Sequence, residues 1–396
     1  MKIGIYGGTF NPPHLGHLTA AKAAIRQLGL DQMLLIPAAV PPHKEIPAGS
    51  PDGEQRLAMT KLAFADIWPQ VTVTDLELRR EGKSYTSDTL RELKEKYPED
   101  ELYFLMGTDM FLSLETWHEP EEVMALAHLG VFARERGDDL SVQKAHLESR
   151  YGARITLVDN PDVIEVSSTE IRTDLAAHRD KLAEPVWGYI RREQLYGTHC
   201  DLKHLTPEEL RPIALSYLKP KRIPHVLGTA EEAVRLARIF GADETEAYVA
   251  GLLHDCTKML DMEQQKALCR KYAIELDELE RKALKLLHAK TGAAIAKYEF
   301  GVSEDVYQAI FWHTTGRAGM SRLEKILYLA DYIEPSREFA NDPEVVKLRE
   351  TVYQDLNRGI LLGLNMTIAE MEGMGNPVHH DTLDARNYLL KKGVTL

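Results

Sequence analysis

Through residues 1–197, short apolar runs alternate with amphipathic stretches. The runs Lys2–Tyr6, Met33–Pro37, Leu102–Met106, Leu129–Ala133 and Ile155–Val158 predict buried strands. Between them, apolar positions three and four apart predict helices near 17–28, 54–66, 86–96, 119–127 and 140–150. That alternation predicts an α/β domain, a parallel sheet with helices on both faces. Sheets of this kind hold ligands at the carboxyl ends of their strands. After Gly197 the rhythm changes. Residues 206–371 carry almost no strand signal, and Ala230–Phe240, Thr245–Leu253, Leu279–Leu287 and Leu323–Tyr332 repeat at helical spacing. Pro207, Pro220 and Pro224 punctuate the start of this all-α half. The expected division is 1–197, a linker at 198–204, and 205–396. Residues 372–380 are expected to form a loop before a last short helix.

Composition narrows the class of protein. The chain has 396 residues, 44% of them hydrophobic and 28% charged, as in an ordinary globular protein. The net charge is −13, and about −9 of it falls in residues 1–200. Neither half offers the basic face that a nucleic-acid surface needs, so no nucleic-acid partner is expected. No uncharged apolar run approaches the roughly 20 residues of a membrane span. The N-terminus has no signal-peptide pattern. Three cysteines, Cys200, Cys256 and Cys269, form no CxxC pair, which fits a reducing cytoplasm.

The first chemical signal follows directly on the first strand. Residues 7–17 are Gly7-Gly8-Thr9-Phe10-Asn11-Pro12-Pro13-His14-Leu15-Gly16-His17. Glycines let backbone amides approach phosphate oxygens, and a helix N-terminus adds positive potential. His14 and His17, three apart on a first helical turn, face the same side. Imidazoles so placed can donate to charge that grows on phosphorus. Near the end of the same half stands Val166-Ser167-Ser168-Thr169-Glu170-Ile171-Arg172. Ser167 and Ser168 are good caps for a helix starting near Thr169, and Arg172 can clamp phosphate oxygens.

These two strings resemble the HxGH nucleotidylyltransferase superfamily, which moves a nucleotidyl group from a nucleoside triphosphate to a phosphate and releases pyrophosphate. Four further stretches resemble bacterial nicotinate mononucleotide adenylyltransferase. They are Ile36-Pro37 with Pro41-Pro42-His43-Lys44, Ser84-Tyr85-Thr86-Ser87-Asp88-Thr89, Met106-Gly107-Thr108-Asp109, and Glu115-Thr116-Trp117-His118. The resemblance covers essentially all of 1–197 and implies a Rossmann-like sheet. It implies that Gly7, Gly8, Thr9, Phe10, Ser167, Ser168 and Thr169 line the nucleotide site. It also implies that Thr86 and amides near Trp117 and His118 hold the nicotinate carboxylate, with the Trp117 ring stacked on the pyridine. Lys44 would face phosphates, and Gly107 and Asp109 would lie near the nucleotide. The expected catalytic groups are His14, His17, Lys44 and Arg172, with Mg²⁺ accompanying ATP. The choice of nicotinate over nicotinamide rests on the resemblance.

The helical half carries a second constellation: His225, His254-Asp255, His288, His313 and Asp331. Four imidazoles and two carboxylates suit Fe, Mn or Zn. Six ligands exceed one closed tetrahedral site, so two ions are expected. His379 and His380 fall in the expected loop, outside this pattern. The ordered set resembles the HD phosphohydrolase superfamily. Leu253-His254-Asp255-Cys256-Thr257-Lys258, His288-Ala289-Lys290-Thr291-Gly292-Ala293, His313-Thr314-Thr315-Gly316 and Tyr328–Arg337 resemble bacterial HD-domain diadenosine tetraphosphatases, which cleave symmetrically to two ADP. The resemblance implies a di-iron centre, divalent or mixed-valence. Asp255 and Lys258 would act in catalysis, and Lys290 and Arg337 are candidate phosphate contacts.

Taken together, the expected partners are ATP, nicotinate mononucleotide and diadenosine tetraphosphate, in a cytoplasmic bifunctional enzyme compatible with a homo-oligomer. An HD domain that acts on another nucleotide, or that senses one, is the alternative for the second half.

Overall fold

The apolar runs of the first half pair into one six-stranded parallel sheet in the computed structural model, which describes every residue except 43–44, 133–139, 161 and 163. The strands are β1 (Lys2–Gly8), β2 (Gln32–Pro37), β3 (Val71–Val73), β4 (Glu101–Gly107), β5 (His128–Phe132) and β6 (Ile155–Val158), in the order β3-β2-β1-β4-β5-β6. Ile5 stands opposite Leu34 on one side and Phe104 on the other. β3 escapes the sequence pattern because Val-Thr-Val is too short to show a period; its pairing with β2 alone defines it.

The helices of this half are α1 (Leu15–Leu28), α2 (Gly53–Ala63), α3 (Thr86–Lys96), α4 (Thr108–Leu112), α5 (Pro120–Leu126), α6 (Ser141–Tyr151), α7 (Ser168–Thr173) and α8 (Glu184–Arg192). They cover both faces. Leu18, Ala24, Leu62 and Val186 from α1, α2 and α8 pack in one core. Leu90, Leu93, Val123 and Leu147 from α3, α5 and α6 pack in the other, against Ile3, Ile5 and Phe104. α8 was not expected, although Val186 and Ile190 keep helical spacing and both are fully buried.

The second half is helical, with no strand among the described residues. Its helices are α9 (Pro207–Leu215), α10 (Ile223–Phe240), α11 (Glu244–Leu253), α12 (Met262–Lys271), α13 (Leu284–Tyr298), α14 (Glu304–Trp312), α15 (Arg322–Ile333), α16 (Pro343–Gln354), α17 (Leu356–Gly373) and α18 (His380–Lys391). They enclose a large apolar core, with a small separate cluster of Leu215, Leu218 and Val226. Two expectations shift. The helix expected over Leu279–Leu287 starts at Leu284 instead. Asp277 and Glu280 exchange side-chain-to-amide hydrogen bonds at 2.8 and 3.0 Å, which hold the preceding residues in turns. The loop expected over 372–380 is shorter at both ends. α17 reaches Gly373, and His379 caps α18 by accepting the Asp381 amide at 3.3 Å. The chain divides into two compact units, Met1–Thr198 and His199–Leu396. No helix among the described residues is long and apolar enough to cross a membrane.

Candidate functional site

In the first unit, strand order reverses between β1 and β4, and the carboxyl ends of those strands open onto a cavity of about 1050 Å³. Gly7 and Gly8 close β1 and lead to Phe10, a non-glycine residue at φ +48°. The loop then enters α1 with His14 at the N-cap. The His14 amide donates to Nδ1 of His17 at 3.1 Å. Nδ1 therefore carries no proton, and the neutral ring keeps its proton on Nε2 as a donor. Both imidazoles line the cavity, with ring centroids 3.7 Å apart. Between them Gly16 sits in a tight space: a Cβ there would stand 3.0 Å from His14 Nδ1 and 3.1 Å from the Ile164 carbonyl.

The second motif is strapped across this loop. Ser167 caps α7, accepting the Glu170 amide at 3.2 Å. Ser168 Oγ donates to the Pro12 carbonyl at 2.9 Å, and Arg172 donates to the Asn11 carbonyl at 2.6 Å. Two strings some 150 residues apart thus share one cavity wall. Gly7, Gly8, Thr9, Phe10, Ser167, Ser168, Thr169 and Arg172 all line it. Thr86, Gly107, Asp109 and Trp117 line the same cavity. Trp117 is 8% exposed and meets Phe104 edge-on at 6.1 Å. His118 is not among the cavity residues; its half-exposed ring packs 4.3 Å from Tyr85. Lys44 lies outside the described residues.

Three further residues support this site and were not expected. Arg56 on α2 is 2% exposed and donates to the Thr9 carbonyl at 2.8 Å, so a buried guanidinium braces the loop after β1. Tyr196 donates to Asn11 Oδ1 at 2.7 Å from beyond α8. Glu77 lines the cavity and accepts from Thr89 at 2.8 Å; burial pushes its carboxyl up to about 7. In the sequence, each is one arginine, tyrosine or glutamate among many.

In the second unit, α10, α11, α13, α14 and α15 bring together all six expected metal-type ligands. His225 lies in the first turn of α10, His254 caps α11 with Asp255 next to it, His288 is on α13, His313 caps α14, and Asp331 is near the end of α15. His225 Nε2 is 3.0 Å from Asp331 Oδ1, and His254 Nε2 is 3.6 Å from the same oxygen. Asp255 divides its oxygens: Oδ2 is 3.6 Å from His254 Nε2, and Oδ1 is 3.2 Å from His288 Nε2. His288 and His313 meet Nε2 to Nε2 at 3.2 Å. Two overlapping groups, His225–His254–Asp331 and His254–Asp255–His313, each present ligand atoms within 4.8 Å of one another. His225 Nε2, His254 Nε2 and Asp255 Oδ1 are buried without a hydrogen-bond partner. Buried polar atoms are ordinarily paired, so this donor set fits cations.

The electrostatics agree with that fit. Burial raises the Asp255 carboxyl, but His254, His288 and Lys258 outweigh it and hold the group well below the carboxylate range. At Asp331, Arg337, His225 and His254 likewise outweigh burial. Burial keeps His288 and His313 below the usual imidazole value, which favours the neutral, ligating ring. Lys258 reaches His288 Nε2 at 2.9 Å, and burial lowers its ammonium. Arg337 donates to Asp331 Oδ1 at 2.5 Å, and Arg222, not expected here, pairs with Asp255. Lys290 is engaged by a carboxylate. It pairs with buried Glu280 at 2.5 Å, in a cluster with His379, which is 3.0 Å from Asp277.

Two family models match separate stretches of the chain. The Cytidylyltransferase-like family matches residues 5–174, and the HD domain family matches residues 222–336. A probable nicotinate-nucleotide adenylyltransferase of Exiguobacterium sibiricum is 42% identical over 201 residues, 50% of this chain and 100% of that one. A probable nicotinate-nucleotide adenylyltransferase of Idiomarina loihiensis is 38% identical over 208 residues, 48% of this chain and 98% of that one. A solved structure from Clostridium acetobutylicum, described as a predicted HD superfamily hydrolase involved in NAD metabolism, is 41% identical. It covers 48% of this chain and 98% of its own, with a TM-score of 0.45.

Proposed function

Because the chain belongs, through its first half, to the nicotinate-nucleotide adenylyltransferase family and carries an HD domain in its second, we propose that it is a bifunctional cytosolic enzyme. Residues 1–197 would make deamido-NAD from ATP and nicotinate mononucleotide. Residues 205–396 would hydrolyse diadenosine tetraphosphate to two ADP, with 198–204 as the linker.

The transferase reading is carried by the wall shared between the His14–His17 turn and the Ser167–Arg172 helix. The mononucleotide phosphate attacks the α-phosphorus of ATP in line. One P–O bond forms, the α–β anhydride bond breaks, and pyrophosphate leaves; no covalent enzyme intermediate is needed. His17, held by the His14 amide, donates Nε2–H to the α-phosphate oxygens, where charge accumulates. His14 supports the same oxygens. Arg172 and the amides of Gly8, Thr9 and Thr169 hold the triphosphate, and Lys44 faces it. Thr86 and Trp117 orient the nicotinate ring, and Gly107 and Asp109 flank the nucleotide. The enzyme's contribution is alignment and charge relief. Mg²⁺ accompanying ATP offsets triphosphate charge when bound.

The hydrolase reading is carried by Asp255, whose two oxygens face separate imidazole sets. His225, His254 and Asp331 would hold one ion, His288 and His313 the other, and Asp255 would bridge them. An iron pair there supplies Lewis acidity and an activated water when bound. Lys258, within reach of His288, would place positive charge beside the leaving phosphate, and Arg337 would aid substrate binding. Water adds across the central phosphoanhydride bridge, so one bridge and one water become two ADP.

The test uses the full chain, loaded anaerobically with Fe²⁺. Pyrophosphate release with ATP is expected for nicotinate mononucleotide far above nicotinamide mononucleotide. Diadenosine tetraphosphate is expected to give ADP alone, lost in the His254→Ala/Asp255→Ala variant. Equal use of both mononucleotides would overturn the acceptor assignment. AMP plus ATP would overturn symmetrical cleavage. No turnover by an iron-loaded chain would favour another nucleotide or a sensing role.

A further inference from the structure

Every imidazole in the helical site has its Nδ1 held. His254, His288 and His313 use backbone carbonyls three residues earlier: Gly251, Lys285 and Ile310, each at 2.7 Å. Helices supply such carbonyls whatever the sequence. His225 differs. It sits at the start of α10, and its Nδ1 meets a carboxylate instead, Glu334 Oε1 at 2.9 Å. Glu334 is 0% exposed, just past the end of α15 and 109 residues away in sequence. Its other contacts also treat it as an acceptor. Ser336 Oγ donates to Oε1 at 2.9 Å, and the Ser336 amide donates to Oε2 at 2.7 Å. Space for it is made by Gly228, one turn beyond His225. A Cβ there would stand 2.3 Å from Glu334 Oε2.

We infer that Glu334 is a positioning residue for the proposed ion site: it keeps the proton of His225 on Nδ1 and turns the lone pair of Nε2 toward Asp331 and Asp255. Partners of this kind orient a ligating imidazole and raise its basicity. The other three imidazoles lean on main chain that no side-chain change removes, so this ligand is the one whose orientation a single substitution can cancel. The inference rests on the ion-site reading above.

Replacing Glu334 by glutamine preserves shape but not acceptor capacity. The amide group must face either His225 or Ser336. Facing His225, it needs Nδ1 as an acceptor, which moves the ring proton to Nε2 and blocks ligation. Facing Ser336, it opposes a buried N–H.

The experiment titrates full-length parent and Glu334→Gln with Fe²⁺ under argon against a chromophoric chelator. It also records ring ¹⁵N signals of histidine-labelled, metal-free protein, with His225 assigned from His225→Asn. Glu334→Gln is expected to bind one of two ions about 10–100-fold more weakly, with a moved His225 signal. Gly228→Ala displaces the carboxylate without removing it, favours the helix, and is expected to weaken the same ion. It serves if Glu334→Gln does not fold. Affinity within threefold of the parent in a folded variant, with His225 unmoved, overturns the inference. A parent that binds no ion overturns the site reading beneath it, and the ¹⁵N signals then report the Glu334 contact separately.

Discussion

His17→Asn separates two jobs that one ring performs. The asparagine Oδ1 stands where His17 Nδ1 stood, so it can still accept the His14 amide, now bonded at 3.1 Å. What it lacks is the outer Nε2–H. A preorganised donor to charge developing in the transition state is worth about 2.7–4 kcal/mol, or roughly 100- to 1000-fold in kcat. Turnover should fall by that factor, with KM for ATP within about threefold. His17→Ala should lose the same catalytic factor and also the amide's acceptor. That second loss costs about 1 kcal/mol, or about 2–4 °C in Tm for a domain of this size. The assay is pyrophosphate release at saturating ATP and nicotinate mononucleotide, alongside thermal melts of both variants. Turnover of His17→Asn within tenfold of the parent would refute the donor role. An unchanged kcat with a raised KM would refute it too, since the ring would then serve ground-state binding only.

Three further outcomes follow from the same geometry. Gly16→Ala improves helix propensity yet forces His14 and the Ile164 carbonyl apart, so kcat should drop at least tenfold while Tm holds or rises slightly; kinetics and a melt of one sample check both. His254→Ala/Asp255→Ala should leave metal analysis with less than half the parent's bound iron, because His254 belongs to both groups of ligands and Asp255 reaches both His254 and His288. Glu77→Gln should stabilise the first unit at alkaline pH. Burial pushes the Glu77 carboxyl up to about 7 in the fold, against an ordinary 4.5, so the unfolded chain ionises first. Stability then falls as pH rises from about 4.5 to 7 and stays reduced above, by up to about 3 kcal/mol. Denaturant melts of the parent and Glu77→Gln should coincide near pH 4 and diverge by pH 8; a constant difference across that range would refute the burial argument.

What the sequence by itself determined is mostly local. Period-2 and period-3.6 patterns, and glycines and histidines at short spacing, report structure within one or two turns. For that reason five of the six strands, the His14–His17 turn, the Ser167 cap and the helical second half were legible. So was the ordered set from His225 to Asp331, because ligand-type residues on successive helices leave few bland explanations. The tertiary structure decided everything that depends on which distant groups meet. It paired Val71–Val73 with β2, buried Arg56 beneath Thr9, and joined Ser168 to Pro12. It paired Lys290 with Glu280 and seated Glu334 behind His225. It also turned His379 from an expected loop residue into a buried cap. A charged side chain reads the same in sequence whether it is solvated or buried. Its fate is set by desolvation and by partners tens to hundreds of residues away, and only the packed chain brings those to within 3 Å.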